Sequence, residues 1–213
     1  MSENKLPYDA EQKETAEVPA DYLAEDVLNR LASAHSYTSI LEIGIEQGVT
    51  AAALELEDHV GVDPDPMEPG RPFTSFMGTS DAFFAQNNRQ FDLVFVDGLH
   101  DRDQVLRDVE NSLACLSDGG TIVLHDICPF DELSQRVPRV VTGWVGDVWK
   151  AWVDLRQSRP DLEMMALEKG YGFGLIRPGQ QTTIQRDVDL TYETYLKYKD
   201  EWMGFVTEDV FFS

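Results

Sequence analysis

The chain has 213 residues, 42% of them apolar, and sets 39 acidic against 17 basic side chains for a formal net charge of −22. That balance excludes the clustered basic footprint of a nucleic-acid-binding protein. No run approaches the ~18 apolar residues of a membrane span, and the length suits one sizeable domain.

The acids are dispersed, and six lysines stand against eleven arginines. Such a surface fits a high-salt source, where self-repulsion is screened, or simply a soluble acidic protein. Cys115 and Cys128 lie in no C-x-x-C pattern, so neither a disulfide framework nor a zinc–thiolate site is expected. The N-terminus has no apolar signal-peptide core, and a cytoplasmic protein is expected.

In chain order, residues 1–18 read as a flexible, polar lead-in, residues 19–180 as the domain, and residues 181–213 as a helical and apolar extension packed on the domain or on a partner subunit. Tyr22–Leu31 has the apolar spacing of a helix face. Ser39–Ile43 is a short strand that runs into Gly44, with a helix expected over Gln47–Leu56. Val60–Val62 is a second strand, ending at Asp63-Pro64. After a Pro- and Gly-rich loop, Pro64–Pro72, Phe73–Met77 is a third, followed by Gly78 and a helix from Ser80 or Asp81. Phe91–Val96 and Gly120–His125 are the fourth and fifth strands, joined by an amphipathic helix with Cys115 on its apolar side. Asp147–Arg159 is helical. Leu162–Leu167 and Gly172–Ile176 are a closing pair whose link is too short for a crossover, so the last strand is antiparallel. Leu190–Trp202 forms a terminal helix, and Phe205–Phe212 is too apolar for a free tail. Alternating strands and helices predict an α/β fold with a mostly parallel sheet covered on both faces.

Two apolar runs end abruptly in ionisable residues, Val96-Asp97-Gly98-Leu99-His100 and Leu124-His125-Asp126. In a parallel sheet these fall at the carboxyl ends of strands, where open α/β sheets bind ligands. At the other end, Ile40–Thr50 reads as strand, glycine turn and helix start. Gly44 and Gly48 let a ligand approach the backbone, and Asp63 stands where an acid can accept both ribose hydroxyls of a nucleoside. The turn is E-x-G-x-x-x-G, not the dinucleotide G-x-G-x-x-G. Asp97 and Asp126 offer carboxylate oxygens to a cation such as Mg²⁺, His100 can take a proton, and His125 can serve as a second acid/base group or as a ligand for softer divalent metals.

Glu42-x-Gly44, Asp63, Gly78-Thr79-Ser80, Val96–His100, Leu116–Asp126 and Tyr171–Ile176 occur in an order that resembles class I S-adenosylmethionine-dependent methyltransferases. The resemblance covers Ile40–Ile176 and is strongest to small-molecule O-methyltransferases with D-G-x-H and H-D strand ends, similar to cation-dependent macrolide-sugar enzymes. It implies a Rossmann-like, doubly wound, seven-stranded sheet. It implies S-adenosylmethionine as cofactor, with Glu42, Gly44 and Gly48 at its methionine side, Asp63 at the ribose, Thr79, Ser80 and Asp81 near adenine, and Asp97 between cofactor and acceptor. It further implies His100 as general base, supported by Asp97 and His125, and a divalent cation on Asp97, His125 and Asp126. His125 departs from the family pattern, which has a carboxylate there. Pro129–Val148 reads as a lid over a small-molecule acceptor, where Phe130, Trp144 and Trp149 can stack on a ring or sugar; Trp149 and Trp152 fit the helix core better, and a homodimer is a candidate assembly. An NAD-dependent oxidoreductase and a non-catalytic nucleoside-binding protein are the alternatives.

Overall fold

The computed structural model describes residues 22–65 and 74–213. The expected lead-in at residues 1–18, most of the Pro- and Gly-rich loop and Phe73 lie outside the described residues. Seven strands, β1 (Ser39–Ile43), β2 (Asp58–Asp63), β3 (Thr74–Met77), β4 (Phe91–Val96), β5 (Leu116–Leu124), β6 (Leu162–Leu167) and β7 (Phe173–Pro178), form one sheet in the order β3-β2-β1-β4-β5-β7-β6. The first five are mutually parallel. β7 runs antiparallel to both its neighbours, as the short link before it predicts. The chain thus has the Rossmann-like, mostly parallel arrangement, reversing direction between β1 and β4.

Helices cover both faces. α1 (Ala24–His35) and the short C-terminal α7 (Glu208–Phe211) pack on one. α3 (Ser80–Phe84), α4 (Arg102–Ala114), α5 (Val148–Ser158) and α6 (Tyr192–Met203) pack on the other, and α2 (Val49–Ala53) follows the first turn. The strands serve two cores by alternation, since successive side chains point to opposite faces. Val94 and Val96 of β4, with Ile122 and Leu124 of β5, enter the core holding Trp149, Trp152 and Trp202. Leu93, Phe95 and Val123 enter the core beneath α1. Trp149 and Trp152 are fully buried, as expected.

Element ends differ from the sequence reading where a cap decides them. α1 runs on to His35 and stops where Ser36 turns left-handed, at φ 59°. α2 is five residues long and not ten, because Gly48 caps it at φ 68° and Leu54 is already extended. β5 begins at Leu116, ahead of the expected Gly120. Phe91 pairs with Leu116 and Leu93 with Thr121, the intervening residues forming an irregularity with Gly119 at φ 79°.

The segment Phe205–Phe212 packs on its own domain. Phe205 bridges to Ala166 of β6. Phe211 is fully buried against Val27, Leu28 and Leu31 of α1, and Glu208 takes contacts from Tyr22 and Arg30. No described helix is long and apolar enough to cross a membrane. Deleting a fully buried aromatic ring removes its transfer energy and leaves a cavity. Phe211→Ala is expected to cost about 3–5 kcal/mol, read as a lower urea midpoint. An unchanged midpoint would mean that the C-terminal segment is not part of the core.

Candidate active site at the carboxyl edge of the sheet

The register of β4 and β5 builds the site. Val96 stands opposite Leu124, so Asp97 and His125, the next residues, are cross-strand neighbours on one face. His125 Nδ1 lies 3.1 Å from Asp97 Oδ1 and 3.5 Å from Asp126 Oδ1. His100, one turn past Asp97, straddles the same two acids. Its Nε2 is 3.4 Å from Asp97 Oδ1 and its Nδ1 is 3.2 Å from Asp126 Oδ2. The four ionisable residues singled out by sequence therefore converge.

Two carboxylates this close repel each other when both are ionised, and two imidazoles offset that repulsion. Burial works against ionised Asp97, but His125 and His100 outweigh it and hold its carboxyl well below the usual range. Burial raises Asp126, and the two rings only partly offset this. Burial disfavours charge on both histidines as well. The facing carboxylates prevail, raising His100 and pushing His125 up to about 9.

Each member is held from outside the cluster. His125 lies on Phe173, with ring centroids 4.8 Å apart. His100 stacks on Trp144 at 5.1 Å, and its Nδ1 is 3.2 Å from the Trp144 carbonyl. The Asp147 amide donates to the His100 carbonyl. A Cβ on Gly146 would come within 1.9 Å of that same oxygen, so only glycine fits. Asp126 sits at φ 61°, a left-handed conformation that costs a residue with a side chain about 1–3 kcal/mol and tends to persist at functional sites. Its Oδ1 is buried and accepts no hydrogen bond.

The expected lid takes shape between Pro129 and Asp147. It has no regular element, but it is tied together by Val145 and Gly146 amides on the Ser134 carbonyl, by the Trp144 indole on the Arg136 carbonyl, and by the Trp149 indole on Gln135. Trp144 is its contact with the reactive cluster.

The cofactor-side residues lie along the same edge, already engaged within the protein. Gly44 turns at φ 87° with its Cα against Asp97; a Cβ there would sit 2.2 Å from the Asp97 carbonyl. Asp63 accepts from the Ile45 and Glu46 amides on one oxygen and from the Asp65 amide on the other, which pins the turn. Glu42 is buried and faces His59 of β2 across 2.8 Å. Burial raises its pKa and His59 partly offsets this. Thr79 caps α3 through the Ala82 amide. Ser80 and Asp81 both receive the amide of Gln104, which also reaches the buried Asp108.

Sequence reasoning missed two of these residues. His59 is a polar residue amid an apolar strand, and its partner is visible only once β1 and β2 are paired. Gln104 carries no local signal, and Trp144, expected to stack on a ring or sugar, lies on the His100 ring. Among the described residues, Asp97, His100 and Asp126 offer ligand atoms within 4.8 Å of one another, and His125 Nδ1 lies 3.1 and 3.5 Å from the same two carboxylates.

Residues 41–127 match the family described as a methyltransferase domain. Similar solved structures include an O-methyltransferase from Bacillus cereus in complex with S-adenosylhomocysteine, at 17% identity and TM-score 0.52, covering 75% of this chain and 83% of that one. The O-methyltransferase TomG from Streptomyces achromogenes, involved in tomaymycin synthesis and solved with S-adenosylmethionine, matches at 18% and 0.52, covering 72% and 78%. The S-adenosylhomocysteine-bound methyltransferase PaMTH1 of Podospora anserina matches at 19% and 0.52, covering 71% and 76%. No curated protein matches the sequence significantly. The chain shares the fold of these structures, and the match to a methyltransferase domain lies within that fold, from β1 to the end of β5.

The raised pKa of His125 has a consequence for stability. The folded value of about 9 lies above the ordinary 6.5, so folding favours the protonated ring. Its contribution is fully present below 6.5 and is lost as pH rises through about 9. The urea midpoint of the wild type is expected to fall across that window, and the fall should be smaller in His125→Phe. Equal falls would mean that another group is responsible.

Proposed function

We propose that this chain transfers the methyl group of S-adenosylmethionine to a hydroxyl of a small molecule such as a sugar, a phenol or another secondary metabolite. The observation that carries the reading is the convergence of Asp97, His100, His125 and Asp126 beside the turn held by Gly44 and Asp63. One edge of the sheet thus offers proton-handling groups next to the glycine turn and Asp63.

In this reading the methionine side of the cofactor lies along Gly44 and Gly48, above Glu42. Asp63 takes the ribose and Thr79–Asp81 border the adenine. The acceptor oxygen attacks the methyl carbon in line with the sulfur. The carbon–sulfur bond breaks with its electron pair going to sulfur, and S-adenosylhomocysteine leaves. The hydroxyl proton goes to an imidazole of the His100/His125 pair. Positioning is the larger part of such catalysis, and the base contributes about 10²–10⁴-fold. The sulfonium charge, brought beside Asp97, opposes a second positive charge on either ring and so favours the neutral imidazole that a base must be.

A divalent cation fits the same groups, two carboxylates and an imidazole, with the buried Oδ1 of Asp126 making no hydrogen bond beyond its ion-pair contact with His125. Bound there, it would lower the pKa of a coordinated acceptor hydroxyl. A second reading is cation-independent. It is favoured by His125, whose ring already supplies positive charge between Asp97 and Asp126.

Calorimetric titration with S-adenosylhomocysteine tests the reading. The wild type is expected to bind, and Asp63→Ala, which loses charge-assisted hydrogen bonds, should bind about 10–100-fold more weakly. Absence of binding by the wild type would remove the proposal. Equal binding by both would take Asp63 out of the ribose site.

A further inference from the structure

We propose that Gln104 of α4 sets the base selectivity of the cofactor site: its side-chain amide holds Asp81 at the rim with a lone pair left open for the exocyclic amine of adenine. Gln104 is thus a positioning residue that acts through Asp81. The inference deepens the methyltransferase reading and rests on it for placing adenine beside Thr79–Asp81.

Donors and acceptors do not balance around Gln104. Its amide nitrogen faces Asp108 Oδ1 at 3.0 Å, Ser80 Oγ at 3.1 Å and Asp81 Oδ1 at 3.3 Å. A primary amide has two N–H groups, so one of the three acceptors goes short. Asp108 is 1% exposed and Ser80 is buried as well. A buried acceptor left unpaired costs more than one that water can reach. The Asp81 side chain is 53% exposed, and its contact with the amide is the longest of the three. It is the acceptor left over.

The amide has no way to turn and relieve this. Its backbone N–H is held by the Asp101 cap of α4, its Oε1 accepts from Arg107, and a flipped amide would aim its oxygen at two carboxylates. The Ser80 hydroxyl donates to Asp108, so its one donor is spent inside the protein. Burial raises the Asp108 carboxyl, the Ser80 and Gln104 hydrogen bonds partly offset this, and the Asp81 charge adds to it. Gln104 therefore bridges two carboxylates, on α3 and α4, that would otherwise push apart. The other neighbour of Asp81 is Arg107, whose Nε lies 3.8 Å away; an exposed pair of that length holds a side chain only weakly.

An ionised carboxylate only accepts hydrogen bonds. Fixed in place, Asp81 favours a base that presents an amine, as adenine does, and opposes one that presents a carbonyl oxygen there. How well it discriminates depends on how firmly Gln104 holds it.

Calorimetric titration of the full chain with S-adenosylhomocysteine and with S-inosylhomocysteine, which carries a carbonyl in place of the amine, tests this. The wild type is expected to prefer the amine about 10-fold, the lower end for a hydrogen bond to a charged group. Gln104→Met, of similar length but without the donors, should bring this ratio toward one. Asp81→Asn, which can both donate and accept, should do the same. The ratio is read within each variant, so a general loss of affinity or stability does not move it. Equal affinity of the wild type for the two ligands overturns the proposal, and so does a wild-type ratio retained in Gln104→Met or in Asp81→Asn. A wild type that binds neither ligand sinks the methyltransferase reading, and the proposal with it.

Discussion

Everything at the working edge of this sheet answers to one electrostatic constraint: half-buried Asp97 and buried Asp126 share the same two histidines, and two like charges in one site need such offsetting partners. The β4–β5 register delivers His125 directly opposite Asp97, and the loop after β4 brings His100 across to Asp126. The surrounding architecture keeps these rings in place, through Phe173 beneath one and Trp144 against the other. The same device recurs deeper in the sheet, where Glu42 on β1 meets His59 on β2 with both side chains about 2% exposed.

The cofactor side follows a related rule. Without a ligand, its polar groups are satisfied within the protein: Asp63 by three backbone amides, Thr79 by the amide it caps, Ser80 and Asp81 by Gln104. Such prior satisfaction also lets the turn after β1 keep its shape, with Glu46 and Gly48 both at positive φ.

Much of this was legible from sequence because the signals are local. Short apolar runs ending in Asp63, Asp97 or His125 mark strand ends, and the five residues between β6 and β7 cannot hold a crossover. Helix ends were less legible, since they depend on single capping conformations such as those of Ser36 and Gly48. The membership of the reactive cluster could be read, but its internal geometry could not. Which histidine faces which carboxylate depends on strand register and ring orientation, and the relevant supports, Trp144 and Phe173, lie 44 and 73 residues beyond His100 in the chain. His59 and Gln104 were invisible for the same reason: each matters only through a neighbour on another element.

The clamp on His100 has a mechanical consequence. Its carbonyl holds the Asp147 amide, its ring faces the Trp144 carbonyl, and Gly146 lies against it with no room for a side chain. The end of the 129–147 segment and the residue that meets the carboxylates therefore form an interlock. A swing of that end away from the sheet would drag the imidazole with it and disarm the cluster in the same movement.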